Sequence, residues 1–247
     1  MNRFLAFMLI FVCTFGCADE IIDSLRDRSI PIDVSVPLTN DNCSNDMKCP
    51  VIFLSAGYGV PHTKYQFLSS LFSELGYLVV AIRHELPMDP PLSVSGNLFE
   101  TRKENWIRGA ETLNIVRDKL QVRYRAFDFN TITLVGHSNG GDISAWLLRK
   151  SPSYVKQIIT LDHRRVPLPR TSEIKVLSLR ASDFKADEGV LPSKTEQSQY
   201  GSCVIKIENA RHNDMSDYGP AWLKSDIQKI IKQWLRSQSC TLKDETT

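Results

Sequence analysis

The chain has 247 residues, 42% of them hydrophobic and 23% charged, with a formal net charge of +2. This is ordinary globular composition, long enough for one substantial α/β core. The near-neutral balance speaks against a nucleic-acid partner, and no repeat or low-complexity tract is visible.

The N-terminus stands apart. Arg3 precedes an almost wholly apolar run from Phe4 to Gly16, and the small residues Gly16, Cys17 and Ala18 lead to Asp19. The pattern predicts a secretory signal peptide over residues 1–18, too short to span a membrane comfortably. Residues 19–247 are then expected to form a single domain. In the alternative reading Cys17 becomes the lipidated first residue of a lipoprotein, the one route to a membrane partner; Thr14-Phe15-Gly16 is a poor lead-in for it. Export leaves Cys43, Cys49, Cys203 and Cys240 in an oxidising compartment, an even count.

Ile30, Ile32, Val34 and Val36 alternate as one face of a strand, with Pro31 and Pro37 marking a sheet edge. Val51 to Leu54 is a continuous apolar run, the sign of a strand covered on both faces. It enters Ser55-Ala56-Gly57-Tyr58-Gly59. His62 to Leu75 has helical spacing and stops at Gly76. Leu78 to Ile82 is another buried strand. An irregular, proline-rich stretch runs from Glu85 to about Gly96, and Glu100 to Leu120 reads as a long helix with Trp106, Ala110, Leu113 and Val116 on one side. Thr131 to Val135 is a strand that breaks at Gly136, and Asp142 to Lys150 is a helix. Gln157 to Leu161 and Lys175 to Leu179 are strands, Glu188 to Tyr200 a helix, and Val204 to Ile207 the last strand. Ala221 to Leu235 is the last helix, with Trp222, Ile227, Ile230, Ile231 and Trp234 expected inward. Alternating apolar strands and helices imply a mostly parallel sheet with helices on both faces.

That layout pairs the cysteines. Cys43 and Cys49 flank a short polar loop. Cys203 opens the last strand and Cys240 closes the last helix, and a helix returning antiparallel to its strand brings those ends to one edge. Cys43–Cys49 and Cys203–Cys240 are therefore expected as disulfides. No Cys-x-x-Cys or clustered histidine points to a metal.

Gly136-His137-Ser138-Asn139-Gly140 sits where a strand turns into a helix. A serine between two glycines at such a corner is a nucleophile elbow: the tight turn leaves no room for flanking side chains and lifts the hydroxyl above the sheet. A serine needs a base, and the base needs a carboxylate. In such sheets these groups stand beyond the carboxyl ends of the strands. His212, in the loop after the last strand, is the expected base; His62, His84, His137 and His163 fit worse. Asp183, after the strand ending at Leu179, is the expected acid, with Asp162 as its rival at the end of the preceding strand. Asp187 and Glu188 more naturally start a helix. The main-chain N–H of Asn139, and that of Tyr58 in the Gly57-Tyr58-Gly59 loop, are the expected oxyanion donors.

These parts together resemble the α/β-hydrolase superfamily: Ile30 to Pro37, Ser55 to Gly59, Gly136 to Gly141, Ser182-Asp183 and Arg211 to Asp214 span nearly all of the mature chain. The pattern is similar to exported esterases and lipases, of the platelet-activating-factor-acetylhydrolase-like or dienelactone-hydrolase-like branch. The resemblance implies an α/β-hydrolase fold with little or no cap, a Ser138–Asp183–His212 triad, a small-molecule ester substrate and no cofactor. One departure is Ser55-Ala56-Gly57, where the family's first oxyanion motif usually reads His-Gly. An amidase, peptidase or acyltransferase on the same triad, or a non-catalytic binding protein on the scaffold, are the alternatives.

Overall fold

The computed structural model describes residues 19–37 and 43–240. The expected signal peptide, with Cys17, lies outside the described residues.

Eight strands form one sheet in the order β1-β2-β4-β3-β5-β6-β7-β8. They are β1 (Asp19–Asp23), β2 (Arg28–Ser35), β3 (Cys49–Ser55), β4 (Leu78–Ile82), β5 (Phe127–His137), β6 (Val155–Leu161), β7 (Lys175–Arg180) and β8 (Cys203–Lys206). β1 pairs antiparallel with β2, and β2 antiparallel with β4. From β4 to β8 all pairings are parallel. All six parallel strands therefore deliver their carboxyl ends to one edge. The α/β-hydrolase arrangement expected from the sequence is the one observed.

The helices are α1 (Gln66–Glu74), α2 (Leu98–Thr101), α3 (Lys103–Arg123), α4 (Asn139–Leu148), α5 (Lys194–Tyr200) and α6 (Ala221–Ser237). The apolar runs explain the layers. Along β3, Val51 and Phe53 face a cluster with Trp106, Leu113 and Val116 of α3 and Ile143 of α4. Ile52 and Leu54 face the opposite cluster, with Leu68 and Phe72 of α1 and Leu223, Ile227 and Trp234 of α6. Side chains alternate along a strand, so a strand apolar at every position needs a helix layer on each side.

Some local expectations change. β1 carries too short a pattern to read, and only its pairing with β2 buries Ile21 while Ile22 stays exposed. Val36 lies past the end of β2 and is exposed. Trp222 is 45% exposed, and Leu223 takes the inward place. With Ile227 and Trp234 the inward set runs i, i+4, i+11, and Trp222 falls off that stripe. The helix expected from Glu188 begins only at Lys194, where Ser193 and Glu196 form a capping box.

Both disulfides are present. Cys43–Cys49 joins Cα atoms 5.3 Å apart, and Cys203–Cys240 joins Cα atoms 5.1 Å apart. The second ties the end of α6 to the start of β8; closing a loop of that length contributes about 3–4 kcal/mol in the chain-entropy model. Among the described residues no helix is long and apolar enough to cross a membrane.

Candidate active site

Ser138 stands between the last residue of β5 and the first of α4, half-buried, with φ 51° and ψ −120°. A non-glycine residue with positive φ is strained, and such strain persists only where the surroundings enforce it. They do so here. A Cβ on Gly136 would come within 2.5 Å of the Gly140 carbonyl, and one on Gly140 within 2.2 Å of the Ser55 carbonyl oxygen. The two glycines let α4 start directly against the ends of β5 and β3. Ser138 O accepts from Gly141 N and Asp142 N. The N–H groups of Asn139 and Gly140 thus remain outside the helix's own bonds, at its positive end.

The turn after β8 and the end of β6 complete the site at this hydroxyl. His212 opens a short 3-10 turn (His212–Asp214) after β8. Its Nε2 lies 2.9 Å from Ser138 Oγ, and its Nδ1 lies 2.6 Å from Asp162 Oδ2. Asp162, the residue after β6, is fully buried. Its Oδ1 accepts from Ala181 N at 3.0 Å and lies 2.7 Å from an Arg180 guanidinium nitrogen. Burial alone would raise the Asp162 carboxyl pKa, but the His212 hydrogen bond and the Arg180 charge outweigh it and hold the group below the ordinary carboxylate value. The ionised form is the one that can orient and stabilise an imidazolium.

The expected acid is thereby corrected. Asp183 does not touch the imidazole: its Oδ1 accepts from the main-chain N–H of His212 at 2.8 Å, and its side chain is otherwise exposed. The reason is placement. β6 lies next to β5, with Leu161 in register with His137, so the residue after Leu161 stands one strand from the nucleophile. Asp183 follows β7, a strand further away.

Supporting residues went unread in the sequence. Arg180 ends β7; a charge closing the apolar run Lys175 to Leu179 was the available signal. Asp142, buried on α4, accepts from Arg165 N at 2.8 Å and Val166 N at 2.9 Å, fixing the segment that follows Asp162. Burial pushes its carboxyl up to about 6. The Asn139 side chain is saturated: Nδ2 donates to Glu85 and Asn105, each at 2.8 Å, and Oδ1 accepts from Trp106 Nε1 at 2.9 Å. Phe184 packs edge-on to the His212 ring, and the Arg164 guanidinium lies 4.6 Å from the centre of the Phe184 ring. Beside the Ser55–Gly59 loop a cavity of about 310 Å³ opens, lined by Ala56, Tyr58, Arg83 and Glu85 among others. Among the described residues no cluster of His, Cys, Asp and Glu is placed to hold a metal.

Sheet order, elbow and triad define an α/β-hydrolase fold with a serine–histidine–aspartate site. No protein-family model and no curated protein matches the chain. Solved structures do. A dienelactone hydrolase-like promiscuous phosphotriesterase from metagenomic libraries superposes with a TM-score of 0.65 at 13% identity, over 89% of this chain and 97% of that one. Esterase 2 of Thermogutta terrifontis, phosphonylated by cyclosarin, gives a TM-score of 0.63 at 10% identity, over 92% and 97%. The butyrate-bound form of the same esterase gives 0.61 at 11%, over 93% and 96%. At such identities the likeness speaks for the fold.

Proposed function

We propose that the protein is an exported serine esterase that cleaves small carboxylic esters through an acyl-enzyme. The observation that carries this reading is the unbroken relay Ser138 Oγ, His212, Asp162, with contacts of 2.9 and 2.6 Å. His212 Nε2 takes the Ser138 proton as Oγ attacks the carbonyl carbon. Asp162 holds the Nδ1–H tautomer and stabilises the cation that forms. The imidazolium then protonates the departing alcohol, and water releases the acyl group by the same route.

The main-chain N–H groups of Asn139 and Tyr58 are assigned to the developing oxyanion. The Asn139 N–H is left over by the helix at its positive end, and Gly57 beside Tyr58 lies close to Ser138: a Cβ there would be 3.4 Å from Ser138 Cβ. The cavity of about 310 Å³ that borders Tyr58 is lined by neither Ser138 nor His212; as a neighbouring subsite it suits short acyl or alcohol groups. The trapped forms of Thermogutta terrifontis esterase 2, phosphonylated or bound to butyrate, support an ester-type substrate. The apolar leader over 1–18 and two disulfides support export, with residues 19–247 as one domain.

A fluorophosphonate probe and a series of nitrophenyl esters test this. Labelling at Ser138, turnover falling with acyl length, and loss of both in Ser138→Ala are expected. Undiminished turnover in Ser138→Ala overturns the mechanism.

A further inference from the structure

His137 is a buried histidine that the reaction scheme leaves unused. It is 2% exposed, and its partner Tyr65 is 1% exposed. Its Nδ1 lies 2.7 Å from the Tyr65 hydroxyl, and its Nε2 lies 3.0 Å from the main-chain oxygen of His212. The Tyr65 oxygen in turn accepts from Gly57 N at 2.9 Å.

The proton positions follow from these contacts. The His212 carbonyl can only accept, so Nε2 carries a proton and donates it. The neutral ring then has an acceptor at Nδ1, and Tyr65 gives that atom its single hydroxyl proton while its oxygen receives the Gly57 N–H. Every donor in the chain has one acceptor, with a single direction: Gly57 N–H to Tyr65, Tyr65 to His137, His137 to His212. Burial pushes the His137 ring down to about 3, so it stays neutral, and burial also raises the Tyr65 phenol.

The two ends of this chain are the two halves of the site. Gly57 precedes Tyr58, the assigned oxyanion donor, and His212 is the base. A Cβ on Gly57 would sit 2.8 Å from His137 Nδ1, so loop and ring are in close contact. The His212 main chain is then gripped twice: Asp183 accepts its N–H, and His137 donates to its carbonyl. The ring joins the two loops directly behind Ser138; their further ties, Asp217 N–H to Lys64 O and the Asp217 carboxylate to the N–H groups of Gln66 and Phe67, lie at the start of α1.

We propose that His137 and Tyr65 are positioning residues: a neutral, one-tautomer bridge that sets the distance between the oxyanion loop and the catalytic imidazole across Ser138. The inference rests on the esterase reading above. The bridge spans the two groups that act on the reacting carbonyl, so its loss falls on the chemical step, where a misplacement of about 1 Å costs as much as 100-fold.

Full-chain Tyr65→Phe, His137→Leu and the double variant test it, with melting temperature measured alongside. Each single variant is expected to lower kcat roughly 10–100-fold with little change in KM. The fluorophosphonate labelling rate should fall in parallel. Because both residues belong to one bridge, the double variant should lose little more than the worse single. His137→Gln, which restores a donor toward the His212 carbonyl, should recover part of the loss seen in His137→Leu. Val116→Ala, in α3, supplies a destabilised control with near-normal kcat. Tyr65→Phe removes one oxygen and keeps the test readable if His137→Leu does not fold. Wild-type kcat in Tyr65→Phe, single losses that multiply in the double, or an equal kcat loss in Val116→Ala overturns the bridge. A wild-type protein that neither labels nor turns over overturns the esterase reading itself, whereas normal labelling with silent variants overturns only the bridge.

Discussion

Asp183 grips the main chain of His212 while Asp162 grips its ring: Asp183 Oδ1 accepts the His212 N–H at 2.8 Å, and Asp162 Oδ2 lies 2.6 Å from Nδ1. Two carboxylates that look interchangeable in the sequence thus serve one histidine in different ways. Only the buried one can select a tautomer and stabilise the imidazolium.

Replacement of the two carboxylates should separate these roles. Asp162→Asn should lower kcat by about 10³–10⁴-fold with the chain still folded, because the wrong tautomer is favoured. Asp183→Ala should cost about 1 kcal/mol of stability, the worth of one hydrogen bond, and lower kcat by roughly tenfold or less through a looser base loop. Steady-state kinetics with urea melts check both. Equal kcat losses in the two variants would contradict the assignment.

Gly140 should tolerate no side chain. A Cβ there would lie 2.2 Å from Ser55 O and 2.5 Å from Ala56 O, both rigid backbone. Gly140→Ala should destabilise by about 3 kcal/mol and lower kcat as well, since it pries the β3 loop from the elbow. Gly59→Ala is the contrast: φ is +77° but nothing lies within 4 Å, so the cost is only the ~1 kcal/mol of left-handed strain. Thermal melts of both variants, with kcat for Gly140→Ala, test the difference.

Stability should fall in mild acid. Burial pushes His84, His137 and His163 each down to about 3. In the unfolded chain they titrate near ~6.5. Below that pH the unfolded state binds protons that the folded state refuses, so stability present at neutrality is lost as pH falls toward the folded values. Each fully engaged histidine contributes a slope of ~1.4 kcal/mol per pH unit. Asp162, held below its ordinary value, acts in the same direction at lower pH. Asp142, pushed up to about 6, and Glu85, also raised by burial, oppose it, because the folded chain takes their protons first. Three histidines against two carboxyls leave a net loss. The urea midpoint at pH 7.5 should exceed that at pH 5; equal midpoints would contradict this balance.

Much of the fold was legible because local rules and the fold agree. Val51 to Leu54 is apolar at every position, so it had to lie between two helix layers, and α1 and α6 cover one side while α3 and α4 cover the other. The elbow was legible because the steric demand at Gly136 and Gly140 leaves a mark within five residues. β1 escaped notice because a five-residue edge strand gains its identity from its partner.

By itself, the sequence determined the layered α/β architecture, the cysteine pairings, the serine elbow and the histidine that meets it, since each is written in short-range pattern or chain order. Only the tertiary structure decided which carboxylate serves His212, and that His137 and Tyr65 join its loop to Gly57. Asp162 and His212 are 50 positions apart, and Tyr65 and His137 are 72. The parallel strands bring Asp162 and Asp183 to the same edge of the sheet, so chain order cannot choose between them. The choice falls to the order of β6 and β7 beside β5, and to the burial that follows from it.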